Sequence, residues 1–164
     1  MAAASDLILT YLRPRQVMCR RFAMATGEGQ ALSYLVSACL LFFLAQTPAM
    51  VRQHIMLAEE LPLAGIAAGR LLGMAVFAPI AFYAVAALTV LLLRCISIRI
   101  SWLSARISLF WSLLAVSPAM LVLGILRGLI DTQSILLPLS IGVAVTFLIF
   151  WVVGLLEAVA RHGC

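Results

Sequence analysis

GIAAGRLLGMAVFAPIAFYAVAALTVLLLR, residues 65–94, decides the fold. From Leu71 to Leu93 it carries no charged side chain. An α-helix rises 1.5 Å per residue, so about 20 apolar residues cross a hydrocarbon core of about 30 Å. The apolar run extends back to residue 64, and about 30 residues make roughly 45 Å, which is more than one perpendicular crossing needs. Arg70 resolves the excess. With Leu71–Leu93 in the hydrocarbon, Arg70 sits at the headgroups, where its side chain snorkels, and Arg94 marks the other edge. Gly65, Gly69 and Gly73 recur at every fourth position, on one helix face. Small residues at that spacing let another backbone approach closely, and in lipid such packing drives helix association. The stretch predicts a membrane helix carrying a packing face, toward a helix of this chain or of a partner.

The remainder of the chain agrees. Of 164 residues, 65% are hydrophobic and 10% charged, and the mean hydropathy is +1.18. Soluble domains carry roughly 25% charged residues, so too few charges are present to cover a water-facing surface. Further apolar runs lie at 31–49, ending near Pro48, at 107–126, and at 134–156. Pro118 inside the third predicts a kink, because proline removes a backbone donor and crowds the preceding turn. The segment RCISIRISWLSAR, 94–106, fits a strand by its alternating isoleucines and a helix by Ile96, Ile100, Leu103 and Ile107, and periodicity alone does not choose. Either way Trp102 falls with arginines at an interface.

Residues 1–30 hold Leu7, Ile8, Tyr11 and Leu12 on one face, with Ser5 as N-cap and Asp6 in the first turn. Beyond Pro14, Val17, Met18 and Phe22 continue an apolar side, and Arg13, Arg15, Arg20 and Arg21 supply a polar one. This predicts an amphipathic helix on an anionic leaflet, its arginines at lipid headgroups. About 30 residues precede the first long apolar run, which argues against a cleaved secretory leader. The fold class expected is all-α: an integral membrane bundle of four transmembrane helices, with an N-terminal amphipathic interfacial helix. Residues 1–30 form the amphipathic cytoplasmic segment, 31–157 the four-span domain and 158–164 a short tail.

All eleven basic residues are arginines, and the net charge is +5. Four precede the first span, three lie between the second and third, and one follows the fourth. Arg52, Arg70 and Arg127 fall on the other side. Positively charged loops stay cytoplasmic, which predicts both termini in the cytoplasm. The charge is matched to anionic lipid, and no nucleic-acid partner is expected.

Chemistry-bearing motifs are scarce. Cys19, Cys39, Cys95 and Cys164 are scattered, without disulfide or metal spacing. No acidic, basic or histidine residue falls inside a span so drawn, which disfavours a proton-coupled transporter. Gln46, Tyr83, Ser112, Ser117 and Thr146 leave one alternative, a small channel or uncoupled transporter with those residues along a path. His54 near Glu59 and Glu60 reads as a loop histidine beside acids, and Glu157 and Arg161 as a surface ion pair at helical spacing. No catalytic residue, cofactor or metal is expected. Gly124 and Gly128, like Ser33 and Ser37, form further small pairs whose default role is packing within the bundle.

The segments RRFAM (20–24), AQTP (45–48), APIAFYAVAAL (78–88), SWLSARISLFWSLLAVSP (101–118) and FLIFWVVGLLEA (147–158) together resemble short bacterial members of the Ypt-interacting protein (Yip) family. The resemblance implies an all-helical membrane domain without catalytic residues, in a bacterial inner membrane. Eukaryotic relatives are usually drawn with five spans, against four here. The function expected is non-enzymatic: a Yip-like membrane organiser, as the resemblance implies, or an accessory subunit of a larger respiratory or photosynthetic complex, which the small size and the glycine face fit. Its partners would be anionic lipids and a membrane protein or a second copy.

Overall fold

The structure, a computed structural model, describes residues 2–24, 27–57, 62–98, 100–130 and 133–162, with side chains for all of these except 2–5, 57, 133, 161 and 162. The N-cap role of Ser5, the acids Glu59 and Glu60, Arg99, the side chains of Arg161 and His162, and Cys164 therefore lie outside the described residues.

Six helices follow one another: α1 (Ala2–Leu12), α2 (Pro14–Ala23), α3 (Glu28–Leu57), α4 (Leu63–Cys95), α5 (Trp102–Leu129) and α6 (Gln133–His162). The last four are long and apolar enough to cross a membrane, and the described residues contain no strand. The expected all-α bundle of four long helices is what the chain forms. Its surface is inverted relative to a soluble protein. Phe77 is 72% exposed, while Ser108, Ser112 and Ser117 are fully buried. Water would not tolerate such an apolar exterior, whereas hydrocarbon favours it.

The architecture is built around α5. Every residue from Ile107 to Ser117 is buried, so this helix is covered on all sides. α3 runs parallel to it. Glu28 at the start of α3 pairs with Arg106 near the start of α5, and Gly128 near the end of α5 meets Pro48 in the later part of α3. α6 runs antiparallel, placing Trp151 and Gly154 beside Ser108. α4 is peripheral, with 11% of its most apolar window buried against 61% for α5.

Four prolines interrupt spans without ending them. α3 passes through Pro48, where the first span was expected to stop, and continues to Leu57. A proline costs its helix one donor, and an otherwise paired helix in lipid tolerates that loss. At Pro118 the carbonyl deprived of its partner is that of Leu114, and Ser117 Oγ donates to it at 2.7 Å. α5 is continuous through this point. Pro79 and Pro138 likewise sit within α4 and α6.

The ambiguous segment at 94–106 is a helix stop followed by a helix start. Ile98 N–H donates to Leu93 O (2.9 Å) and Ser97 N–H to Arg94 O (3.0 Å), the paired bonds of a Schellman cap. Ser97 holds the left-handed position, φ 64°. Ile98 packs in the same apolar cluster as Leu93, which is the hydrophobic contact such caps carry. α5 then begins at Trp102, whose ring lies 5.0 Å from the Arg94 guanidinium.

The left-handed conformation costs an L-residue about 1 to 2 kcal/mol and glycine little. Ser97→Gly is therefore expected to stabilise the detergent-solubilised protein by about 0.5 to 1 kcal/mol. Ser97→Val should lower its melting temperature, and thermal unfolding followed by circular dichroism reads both.

Candidate functional site

The N-terminal helices dock onto the bundle through one polar cluster. Asp6 on α1 is 3% exposed and Arg21 on α2 7%, and their charged groups are in direct contact. Arg21 Nη1 also donates to the Tyr34 hydroxyl of α3 at 3.0 Å, which receives a further bond from Gln30 Nε2 at 2.7 Å. The guanidinium carbon lies 4.0 Å from the Trp111 ring centre on α5, a cation–π contact. Trp111 Nε1 donates to Thr10 Oγ1 at 3.3 Å, and Thr10 donates to the Asp6 carbonyl. Four helices thus converge on one ion pair.

This changes the reading of the arginines. Arg21, expected at lipid headgroups, is enclosed instead, because α1 turns Asp6 inward and supplies its counter-charge. Arg20 reaches the same carboxylate at 3.4 Å while 54% exposed. Arg15 lies 3.8 Å from Glu157 of α6, a surface pair worth little. Arg13 is exposed, between α1 and α2. Tyr11 donates to the Ala115 carbonyl at 2.9 Å and sets its ring edge-on to Phe150. Burial raises the Tyr11 phenol above its ordinary value. Stability from this bond is therefore intact at neutral pH and declines as pH rises past about 10 through the raised folded value.

The glycines divide into two groups. Gly124 and Gly128 pack within the chain, as their default reading held. A Cβ at Gly124 would overlap the Ala45 carbonyl, and one at Gly128 would lie 2.6 Å from Pro48 Cβ. Gly154, not singled out from sequence, belongs with them: a Cβ there would overlap Ser108 Oγ and lie 3.0 Å from Met18 Cε. A lone glycine in an apolar run gives no spacing to notice. Gly69 and Gly73 behave oppositely, since among the described residues a Cβ at either meets nothing within 4 Å, and one at Gly65 meets only Pro62 beside its own helix. Their stripe faces away from α3 and α5. Ser33 and Ser37 are also exposed.

The polar residues assigned to a path do not converge. Ser112 and Thr146 donate to their own helix backbone at Ser108 O and Gly142 O, both four residues back. Ser117 serves Leu114 O. Tyr83 packs against Phe110, with ring centres 5.1 Å apart and planes tilted by 55°. Gln46 alone of the five lines a cavity of about 330 Å³ between α3, α4 and α5, at the end away from α1 and α2. Arg70, Arg127 and Gln53 share it, and Arg70 Nη2 donates to Gln53 Oε1 at 3.4 Å. Among the described residues no cluster of three or more metal-ligating side chains occurs.

Removing one member of a buried ion pair strands the other. Asp6→Ala is expected to destabilise the fold by about 3 to 5 kcal/mol. Asp6→Leu combined with Arg21→Met should recover most of that loss, since an apolar pair replaces a buried ionic one at little cost. Thermal unfolding of the single and double variants in detergent tests this.

Comparison with family models, with curated proteins and with solved structures finds no match to this chain, so its functional reading rests on the geometry above.

Proposed function

We propose that the protein is a non-enzymatic component of a bacterial inner membrane that works by binding another membrane protein or a second copy of itself. The observation carrying this reading is the open stripe of Gly65, Gly69 and Gly73 on α4. Helices facing only lipid gain nothing from glycine, which lowers helix propensity by about 1 kcal/mol per residue relative to alanine. A glycine stripe becomes favourable where another helix closes on it. Within the chain the same device operates at Gly124 and Gly128, where the partner is α3. On α4 no other described helix of this chain closes on the stripe, and α4 is the least buried of the four spans.

Two forms of the role are compatible with that surface: an accessory subunit of a larger respiratory or photosynthetic complex, and a Yip-like organiser that self-associates. Both place the termini in the cytoplasm, on the side holding the larger share of arginines. No observation favours a conducting path, because the hydroxyls that would line one serve their own helices.

The experiment is purification in mild detergent through a C-terminal tag, comparing the native chain with Gly69→Leu. Gly69→Leu should leave folding and yield intact, since the added side chain meets nothing in the monomer, but should dissociate the complex or homo-oligomer. Gly124→Leu, by contrast, should prevent folding. An unchanged assembly in Gly69→Leu would refute the partner surface. For orientation, reporters fused to either terminus should both read cytoplasmic; a periplasmic signal from one would contradict the assigned topology.

A further inference from the structure

We infer that the cavity between α3, α4 and α5 seats the phosphate of an anionic phospholipid, whose acyl chain follows the groove between α3 and α4. This does not depend on the partner reading above.

Two guanidiniums reach the cavity from different helices. Arg70 comes from the third turn of α4, and Arg127 from the last turn of α5. Among the described residues Arg70 hydrogen-bonds to an uncharged amide, that of Gln53. Neither guanidinium meets a carboxylate among the described residues. Two like charges at one cavity repel each other, and an anion placed between them turns that repulsion into attraction. Guanidinium forks match the paired oxygens of phosphate, and charge-assisted bonds of this kind are the stronger class. The amides of Gln46 and Gln53 stand in the same wall and add uncharged donors.

The remaining lining selects a lipid over a free anion. Phe42, Met74, Met120 and Leu123 make the rest of the cavity apolar. Met74 also walls a second hollow of about 90 Å³, bounded by Val36, Cys39 and Leu40 on α3 and by Leu71, Ala75 and Pro79 on α4. Residues 36–40 lie several turns before Gln53 on α3, toward the middle of the span. The charged cup and the apolar groove therefore adjoin at Met74. A free phosphate would use only the cup. A phospholipid uses both: its phosphate lies at the helix ends where headgroups lie, and its chain at hydrocarbon depth. Small Ala75 and ring-closed Pro79 leave room for that chain beside α4.

The test is native mass spectrometry of the full-length protein released from a neutral detergent, with phosphatidylglycerol, phosphatidylcholine or glycerol phosphate added separately. Phosphatidylglycerol should give retained one-to-one adducts, while phosphatidylcholine and glycerol phosphate should not. Arg70→Gln and Arg127→Gln should each weaken phosphatidylglycerol binding about tenfold, and the double variant should abolish the retained adduct. Ala75→Phe should weaken it by filling the groove. Arg13→Gln, at the opposite end, should leave it unchanged. Equal retention of phosphatidylcholine would overturn the proposal. So would an equal loss in Arg13→Gln, which would mark general attraction to a basic protein. Glycerol phosphate binding as tightly as the lipid would make this a soluble-anion site and overturn the lipid assignment. Arg70 and Arg127 are exposed, so their glutamine variants retain the fold, and unchanged thermal unfolding verifies that before binding is read.

Discussion

The backbones of α3 and α5 come closer than side chains would allow, and the rest of the bundle is arranged around that contact. Hydrocarbon offers no hydrophobic drive for helices to associate, so cohesion comes from close packing. Gly124 lies against the Ala45 carbonyl and Gly128 against Pro48. With the two parallel helices so near, α4 and α6 fit against their flanks and α5 is enclosed. Enclosure then sets the chemistry of α5. Its serines are inside, where each buried hydroxyl needs an acceptor, and the helix's own carbonyls supply it at Ser108 and Leu114. At Leu114 the same bond repairs what Pro118 removes.

Helix count and class were legible because length and apolar continuity are one-dimensional properties. The stop at Ser97 was not, since left-handed caps are usually read from glycine and here a serine holds the position. The helical course through Pro48 was hidden as well: a proline near the end of an apolar run looks like a terminus until the packing of α5 on both sides of it is known. Spacing found Gly124 and Gly128 but gave no hint that Gly65, Gly69 and Gly73, with the same periodicity, face outward. That difference depends on which helix lies alongside, which a single sequence does not encode locally.

The charged residues show the same limit. Four arginines near the N-terminus look alike in sequence. In the structure Arg21 is sealed against Trp111 while Arg13 is exposed. What separates them is Asp6, fifteen residues earlier in the chain, brought alongside by the break between α1 and α2. The cavity at the other end was equally hidden, because Arg70, Arg127, Gln46 and Gln53 belong to three helices and share no sequence motif.

The docking of α1 and α2 also carries a timetable. Thr10 bonds to a residue 101 positions later, and Tyr11 to one 104 positions later. Synthesis from the amino end delivers the two short helices first and their seat on α5 much later. Asp6 and Arg21 are made early, but the Trp111 ring under the Arg21 guanidinium exists only once α5 has been made. The N-terminal helices are thus the first part of the chain to be made and among the last to settle. Their seat is complete only with the last long helix, since Tyr11 and Arg15 meet Phe150 and Glu157 of α6.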